Sequence, residues 1–388
     1  MVKRKSSAKD EMKPHSEAKV NFYQKYLETH LLILSRVRFV EEIHIYDLFC
    51  GRGVYKDGKT GSAVRAYETI RYVREQRPSD KRIVLHLNDK NEKSIETVKE
   101  YIESHYPKEH PCQVKYSSED AMRMLQQLAL MPWYGAKKRN VHNVFFIDPY
   151  GYKEIKKEFL RQLLSSGNSE ILLFLPISFM QRFTRHAFSN KVTPGAMPLR
   201  NFITSFFPEG HPMRTGSEID VQQYIEYLTK AFSFDDKYYA TSYPIERSSQ
   251  NQFALFFLST NLMGYEKVLE MKWKMIDACG FGFHLPAAQI GMFDELFRQE
   301  RVEGLVEQFR VKMIAFMRAA ARKNGEIYKF AVRNGFLPKH ANDVLRQLQS
   351  EGRLDTIDMD TGEVIKTRNK FNVKYASVKN PSLIFVLK

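Results

Sequence analysis

Four carboxylates and a glycine-broken turn carry the residue types in this 388-residue chain that are best suited to chemistry. Ile43, Ile45, Leu48 and Phe49 read as a short buried strand, and Asp47, Gly51, Gly53, Gly58 and Gly61 follow as turn material. Ser62 then reads as the N-cap of a helix opening at Ala63. A strand that breaks on glycines and re-enters as a helix lets backbone N–H groups approach a ligand closely. Doubly wound α/β domains hold nucleotide-like cofactors in this way, at the carboxyl ends of their strands. Gly51-Arg52-Gly53 is followed by Lys56 where a third glycine would complete the dinucleotide fingerprint, and no Walker lysine opens the helix. A glycine-rich turn with a purely structural role is the alternative.

Asp148 is the second carboxylate. Val144, Phe145, Phe146 and Ile147 form the clearest fully buried strand, ending abruptly in Asp148-Pro149-Tyr150-Gly151, as a central parallel strand should. This arrangement sets Asp148 beside the glycine turn, at the cleft where strand order reverses; an Asp-Pro turn closing a strand is the plainer reading. Asp89 follows the strand Arg82–Leu87, where this architecture places a ribose acceptor; it is equally suited to N-cap the helix Glu92–His105. Asp120 follows the strand Gln113–Tyr116. It is suited either to accept from an adenine amino group or to complement a helix start.

The D-x-F-x-G-x-G turn resembles motif I of S-adenosylmethionine (SAM) dependent methyltransferases. The resemblance implies SAM as cofactor, contacted by Asp47, Phe49, Gly51, Gly53, Asp89 and Asp120. D-P-Y-G resembles motif IV of amino-methyltransferases, [DNS]-P-P-[YFW], with one proline missing and the aromatic one place early. It implies that Asp148, Pro149 and Tyr150 orient a target amine, in a class whose aromatic stacks on a flipped base. DLFCGRG also approaches the first motif of cytosine-5 methyltransferases, and His110-Pro111-Cys112-Gln113 mimics their nucleophile loop. That chemistry needs a thiolate after the fourth strand, whereas Cys112 precedes the third and the fourth ends in Asp148-Pro149.

Lys and Arg number 60 against 45 Asp and Glu, a net charge of +15, which points to a polyanionic partner, DNA or RNA first. No apolar run reaches the ~18–20 residues of a membrane span and no secretory signal opens the chain, so a cytoplasmic protein without membrane contact is expected. Cys50, Cys112 and Cys279 are too few and too scattered for a disulfide framework, and no metal site is expected. Met1–Lys13 reads as a disordered lead-in.

The elements needed to position these groups form an α/β, doubly wound, Rossmann-like sheet of SAM-methyltransferase type, with an insertion and a C-terminal winged-helix domain. Residues 1–36 make a basic tail and a helix (Glu17–Arg36) that packs under the sheet, with Lys19 and Lys25 on its outer side. Residues 37–177 and 251–300 supply the methyltransferase-like domain. Glu170–Pro176 is its fifth strand, and Phe253–Ser259 and Ser382–Lys388 are offered as its last strands. Residues 178–250 show no clear period and read as a basic, substrate-facing insertion. In 301–388, helices Leu305–Arg322, Gly325–Asn334 and Pro338–Glu351 precede a hairpin around Asp358–Gly362, a winged-helix order. Its third helix would present Lys339, His340, Asn342, Arg346 and Gln349 to a nucleic-acid groove.

Taken together, IYDLFCGRGVY, GSAVRA and FIDPYG resemble the three-Cys-motif partner (TcmP) family, which shows Y-I-D-x-F-A-G-x-G-x-Y, G-S-P-x-x-A and F-I-D-P-F/Y-G. The resemblance covers most of the chain, with alanine at Ala63 where proline is usual. It implies a SAM-dependent methyltransferase fold, a C-terminal winged helix and a three-cysteine, radical-SAM-like partner protein. Two functions follow as expectations: methyl transfer to a nucleobase nitrogen of DNA or RNA, or a non-catalytic, SAM-sensing subunit that binds nucleic acid or protein.

Overall fold

The structure is a computed structural model that describes residues 11–108, 110–130, 140–149, 151–152, 155–189, 192–248, 251–279, 292–365 and 371–388, with side chains left undescribed at 246–251 and 275–301. Tyr150, Lys191, Lys366 and residues 1–10 therefore lie outside the described residues. The chain forms two compact units that divide at Asn261/Leu262.

The first unit is built on a seven-stranded sheet: β1 (Glu42–Asp47), β2 (Arg82–Asn88), β3 (Gln113–Ser117), β4 (Val141–Ile147), β5 (Ser169–Leu175), β6 (Tyr239–Ser248) and β7 (Asn251–Ser259). Their order is β3-β2-β1-β4-β5-β7-β6. The first five run parallel, β7 is antiparallel to β5, and β6 pairs antiparallel with β7. Order reverses between β1 and β4, which is where a doubly wound sheet opens a crevice at its carboxyl edge. Every residue of β5 is buried, as a strand covered on both faces requires.

Helices α1 (Pro14–Leu34) and α2 (Ser62–Gln76) share one face of this sheet. α1 runs along β4: the His30 and His142 rings are 4.8 Å apart, and Tyr23 stacks on Phe146 at 4.3 Å. Lys19 pairs with Asp148 just past the strand. His142, Val144 and Phe146 alternate onto this side because strand side chains have a period of two. Phe145, Ile147, Leu173, Phe256 and Leu258 face the other way, into a core completed by helices Ile177–Ala187, Met197–Phe206 and Val221–Phe232.

Four sequence expectations change here. Among the described residues of 178–250, Phe202, Phe206, Tyr224 and Phe232 join the core of the sheet, where a separate insertion was expected. The same stretch hides β6, whose Pro244 reads as a breaker but is tolerated on an edge strand, where a missing N–H costs no ladder bond. Helix Leu262–Cys279, assigned from sequence to the methyltransferase-like domain, groups with the C-terminal unit. There the Trp273 indole N–H donates to Gly335 O at 2.9 Å and its ring lies 4.4 Å from His340. Ser382–Lys388 contributes no strand to the large sheet; Leu383–Leu387 is the middle strand, β10, of a separate three-stranded sheet. Its alternating burial marks a half-covered strand, unlike β5.

The C-terminal unit continues with helix Met292–Arg318, β8 (Arg322–Lys323), helices Asn324–Arg333 and Pro338–Ser350, β9 (Leu354–Asp358) and β10, the sheet order being β8-β10-β9. Phe309 stacks on Phe336 at 4.3 Å in its core. Among the described residues no helix is long and apolar enough to cross a membrane.

Candidate active site

Asp47 ends β1 directly opposite Phe146 of β4, so its side chain falls on the face that α1 covers. It is fully buried, and the Ser62 hydroxyl and the Phe49 N–H approach it without either completing a well-formed hydrogen bond to its carboxylate oxygens. Burial pushes its carboxyl up to about 7; the nearby Asp148 charge raises it further, while the Ser62 hydroxyl and Lys19 pull it back. The Tyr23 hydroxyl is likewise buried without a hydrogen-bond partner, and the Asp47 charge helps to raise it far above the ordinary phenol value after burial itself. A patch of unsatisfied polar atoms thus lies beneath the glycine turn. Such groups cost free energy unless something pairs with them.

The turn above is held by backbone geometry only glycine adopts easily. Gly51 and Gly53 take φ of +60° and +70°. At Gly53 the need is also steric: a Cβ there would stand 2.6 Å from Val98 Cγ2. At Gly51 a Cβ would meet nothing within 4 Å, so its backbone borders open space. Past the turn, Val54 and Thr60 bridge and Gly61 N–H donates to Gly53 O at 2.6 Å, returning the chain to α2.

Asp89 is the post that fixes this turn. Its Oδ2 accepts from Gly51 N–H at 3.0 Å and its Oδ1 from Asn91 N–H at 2.9 Å. The expected capping role belongs instead to Asn91, whose side chain accepts from Lys93 N–H at the start of α3 (Glu92–His105). Asp120 does cap: its Oδ1 accepts from Arg123 N–H at 3.0 Å, in the first turn of α4 (Ala121–Leu130). It is exposed and lies 3.8 Å from the Lys90 ammonium.

Sequence reasoning passed over Asn88, which is fully buried. It donates to Leu48 O and Glu119 O and accepts from Ser117 Oγ and Glu119 N–H, stitching together the loops after β1 and β3. Only its place at the end of a strand hinted at this.

Asp148 and Pro149 follow β4, as expected, and Tyr150 lies outside the described residues. Asp148 is engaged by Lys19, which therefore points into the site instead of outward as read from sequence. The Lys19 ammonium also sits 4.7 Å from the centre of the Phe174 ring, a cation–π contact at the end of β5. Phe174 stacks on Phe253, and Phe253 on His15, extending an aromatic wall beside the acid. Phe49 packs half-buried against the core on the other side.

Asp47, Gly51, Gly53, Asp89 and Asp148 thus converge at the carboxyl edge of the sheet where its order reverses, with Asp120 at the neighbouring loop. The thiol of Cys112 precedes β3, and burial pushes it up to about 12, so it offers no thiolate for a cytosine-5 mechanism.

The C-terminal candidates separate. Lys339 and Arg346 are exposed on helix Pro338–Ser350, and Asn342 is half-buried. His340 is a correction: it is buried, its Nδ1 accepts from Leu337 N–H at 3.0 Å, and it packs on Trp273 and Phe336. An imidazole so used caps the helix from inside and presents nothing to a groove.

No family model matches the chain, and no curated protein matches it. Solved structures similar to it include a Klebsiella pneumoniae protein assigned as an O-methyltransferase, 15% identical with a TM-score of 0.29 over 65% of this chain and 91% of that one. Another is TomG, an O-methyltransferase of Streptomyces achromogenes involved in tomaymycin synthesis and solved with SAM, 12% identical with a TM-score of 0.32 over 66% and 93%. A third is a Thermobifida fusca protein assigned as a methyltransferase, 10% identical with a TM-score of 0.28 over 63% and 83%. The fold stands on its own topology: seven strands ordered β3-β2-β1-β4-β5-β7-β6 with β7 reversed, a doubly wound sheet whose first five strands and β7 were expected from sequence and whose β6 was not.

Proposed function

We propose that this chain is a SAM-dependent methyltransferase acting on a nucleobase nitrogen of DNA or RNA. The observation that carries the reading is the convergence at one strand-order reversal of a buried, unsatisfied acid (Asp47), a glycine backbone open to approach (Gly51), its carboxylate post (Asp89) and a second acid (Asp148).

These residues fit SAM on physical grounds. A buried carboxylate with no completed hydrogen bond or ion pair among the described residues favours a ligand bearing positive charge. Gly51 leaves space where any side chain would intrude. Each Asp89 oxygen keeps a lone pair beyond its one backbone bond, enough to accept from a ribose hydroxyl. Asp120 and Phe49 flank the place an adenine would take. When bound, SAM supplies a methyl group already activated as a sulfonium. Asp148 and the carbonyl of Pro149 orient the incoming amine, and Asp148 accepts its proton late in the transfer. The Phe174–Phe253 wall excludes water and offers a planar surface to a base.

The C-terminal unit enters the same proposal as a winged helix that grips nucleic acid through Lys339, Asn342 and Arg346. Its order of helix, strand, two helices and two strands, with β10 between β8 and β9, supports this. So does the +15 charge. A three-cysteine partner protein rests on the motif resemblance alone.

The second reading is a non-catalytic, SAM-sensing subunit, and one observation favours it: Lys19 already holds the acid that should receive the substrate proton. Transfer of labelled methyl from SAM to total RNA and DNA, compared with Asp148→Ala, separates the two. Label incorporated by the native chain and lost in the variant supports the enzyme. No incorporation with SAM still bound selects the sensor.

A further inference from the structure

At the opposite end of β4 from Asp148, three metal-ligating side chains meet inside the protein. His142 is the second residue of β4, Glu170 is the second of β5, and α1 lowers His30 onto them. The strand register explains the meeting. Glu170 pairs with Val144, two residues from His142, so both side chains leave the sheet on one face. The potential ligand atoms of all three lie within 4.8 Å of one another, and all three residues are buried. His30 Nδ1 is 3.1 Å from Glu170 Oε2.

We propose that His30, His142 and Glu170 bind a divalent transition-metal ion, zinc in the first instance. Two imidazoles and one carboxylate are a donor set zinc accepts readily, and they suit borderline metals over magnesium or calcium. Two further observations point to a missing cation. The Nε2 atoms of His30 and His142 are both buried without a hydrogen-bond partner. Among the described residues, no lysine or arginine forms an ion pair with Glu170 to offset its charge; its other contacts are the Tyr26 hydroxyl and Ser259 Oγ, at 3.2 Å, both donors.

Those donors occupy the outer positions usual around a metal-bound carboxylate, orienting it without neutralising it. Tyr26 lies one helical turn before His30 on α1, and Ser259 is paired with Glu170 across β5 and β7, so both are fixed by the fold. A metal here would tie α1 to β4 and β5. It stands independently of the methyltransferase reading, since it shares no residue with the carboxyl-edge site.

Because the triad is closed, the ion must enter as the chain folds. The test is therefore to unfold the full-length protein in EDTA and refold it with or without zinc. The expected result is one tightly held zinc per chain by elemental analysis and a melting temperature raised by roughly 5 °C. X-ray absorption should give two imidazole nitrogens and a carboxylate oxygen. Glu170→Gln and His142→Asn should lose the zinc and the shift, whereas His105→Ala should keep both. If the two variants fail to fold, the native X-ray absorption spectrum decides. No stoichiometric metal in the refolded native chain, a spectrum with other ligands, or zinc retained by both folded variants would overturn the proposal.

Discussion

The Lys19 ammonium, five residues into α1, meets the Asp148 carboxylate one residue beyond β4. Their side chains are 13% and 22% exposed, so the pair is largely withdrawn from water. One contact thereby ties the N-terminal helix to the acid on which the proposed chemistry depends. Lys19→Met keeps the apolar stem on Phe174 but strands the carboxylate. It should cost about 1–2 kcal/mol, less than a fully buried pair because both partners retain some solvent. Urea unfolding with an unchanged m-value checks this; a loss below the measurement error would mean the pair is merely a surface contact.

Asp47 predicts an unusual pH dependence. Its folded carboxyl is raised to about 7 from an ordinary value near 3.8, so between these values the folded state holds the extra proton. Stability must then fall as pH rises from about 4 to about 7, the reverse of a paired carboxylate. Asp47→Asn removes the charge while keeping the shape. The variant should be more stable than the native chain at pH 8 by a few kcal/mol, order of magnitude, with the gap closing towards pH 4. Equal stabilities at both pH values would show that Asp47 is solvated or paired in solution.

The two turn glycines should part company. Gly53→Ala faces both a left-handed backbone and Val98 at 2.6 Å, and should destabilise by roughly 2–4 kcal/mol. Gly51→Ala pays the backbone term alone, about 1 kcal/mol, yet should weaken SAM binding at least ~10-fold by filling the open approach. Thermal melts paired with calorimetry read both. If Gly51→Ala binds as well as the native chain, the open space beside it is not where the ligand lies.

Much of this site was legible in the chain because it rests on local patterns. The Val144–Ile147 run and the Ile171–Leu175 run are apolar on both faces, and only buried parallel strands tolerate that. Glycines at 51 and 53 have few uses other than a positive φ. What stayed hidden depends on three-dimensional facing. α1 buries residues on almost every side, from Ala18 and Val20 to His30 and Leu34, so no polar stripe marks where Lys19 points. His30, His142 and Glu170 are spread over 141 positions and meet only through strand register and helix docking. His340 looked exposed because histidine often is; its use as an internal cap needs Trp273, from a helix far back in sequence.

On the C-terminal helix, the exposed cations and the buried imidazole predict different phenotypes. Lys339→Ala with Arg346→Ala should weaken nucleic-acid binding and flatten the log K against log salt line by up to about 1.8, two phosphate contacts at ~0.9 each. His340→Ala should leave that slope alone and lower the stability of its unit by about 1–3 kcal/mol through lost packing and a stranded Leu337 N–H. Binding across a salt series tells them apart; an unchanged slope in the double variant would remove this helix from the interface.

The account rests most heavily on the claim that Asp47, Gly51 and Asp89 border a SAM pocket. Isothermal titration of SAM into the full-length protein measures it directly, with Asp89→Asn as comparison. The account predicts saturable one-to-one binding by the native chain and at least ~10-fold weaker binding by the variant, whose amide gives up the charge that anchors Gly51. Absence of heat and of competition by S-adenosylhomocysteine, in a protein whose melting curve shows it folded, would contradict it.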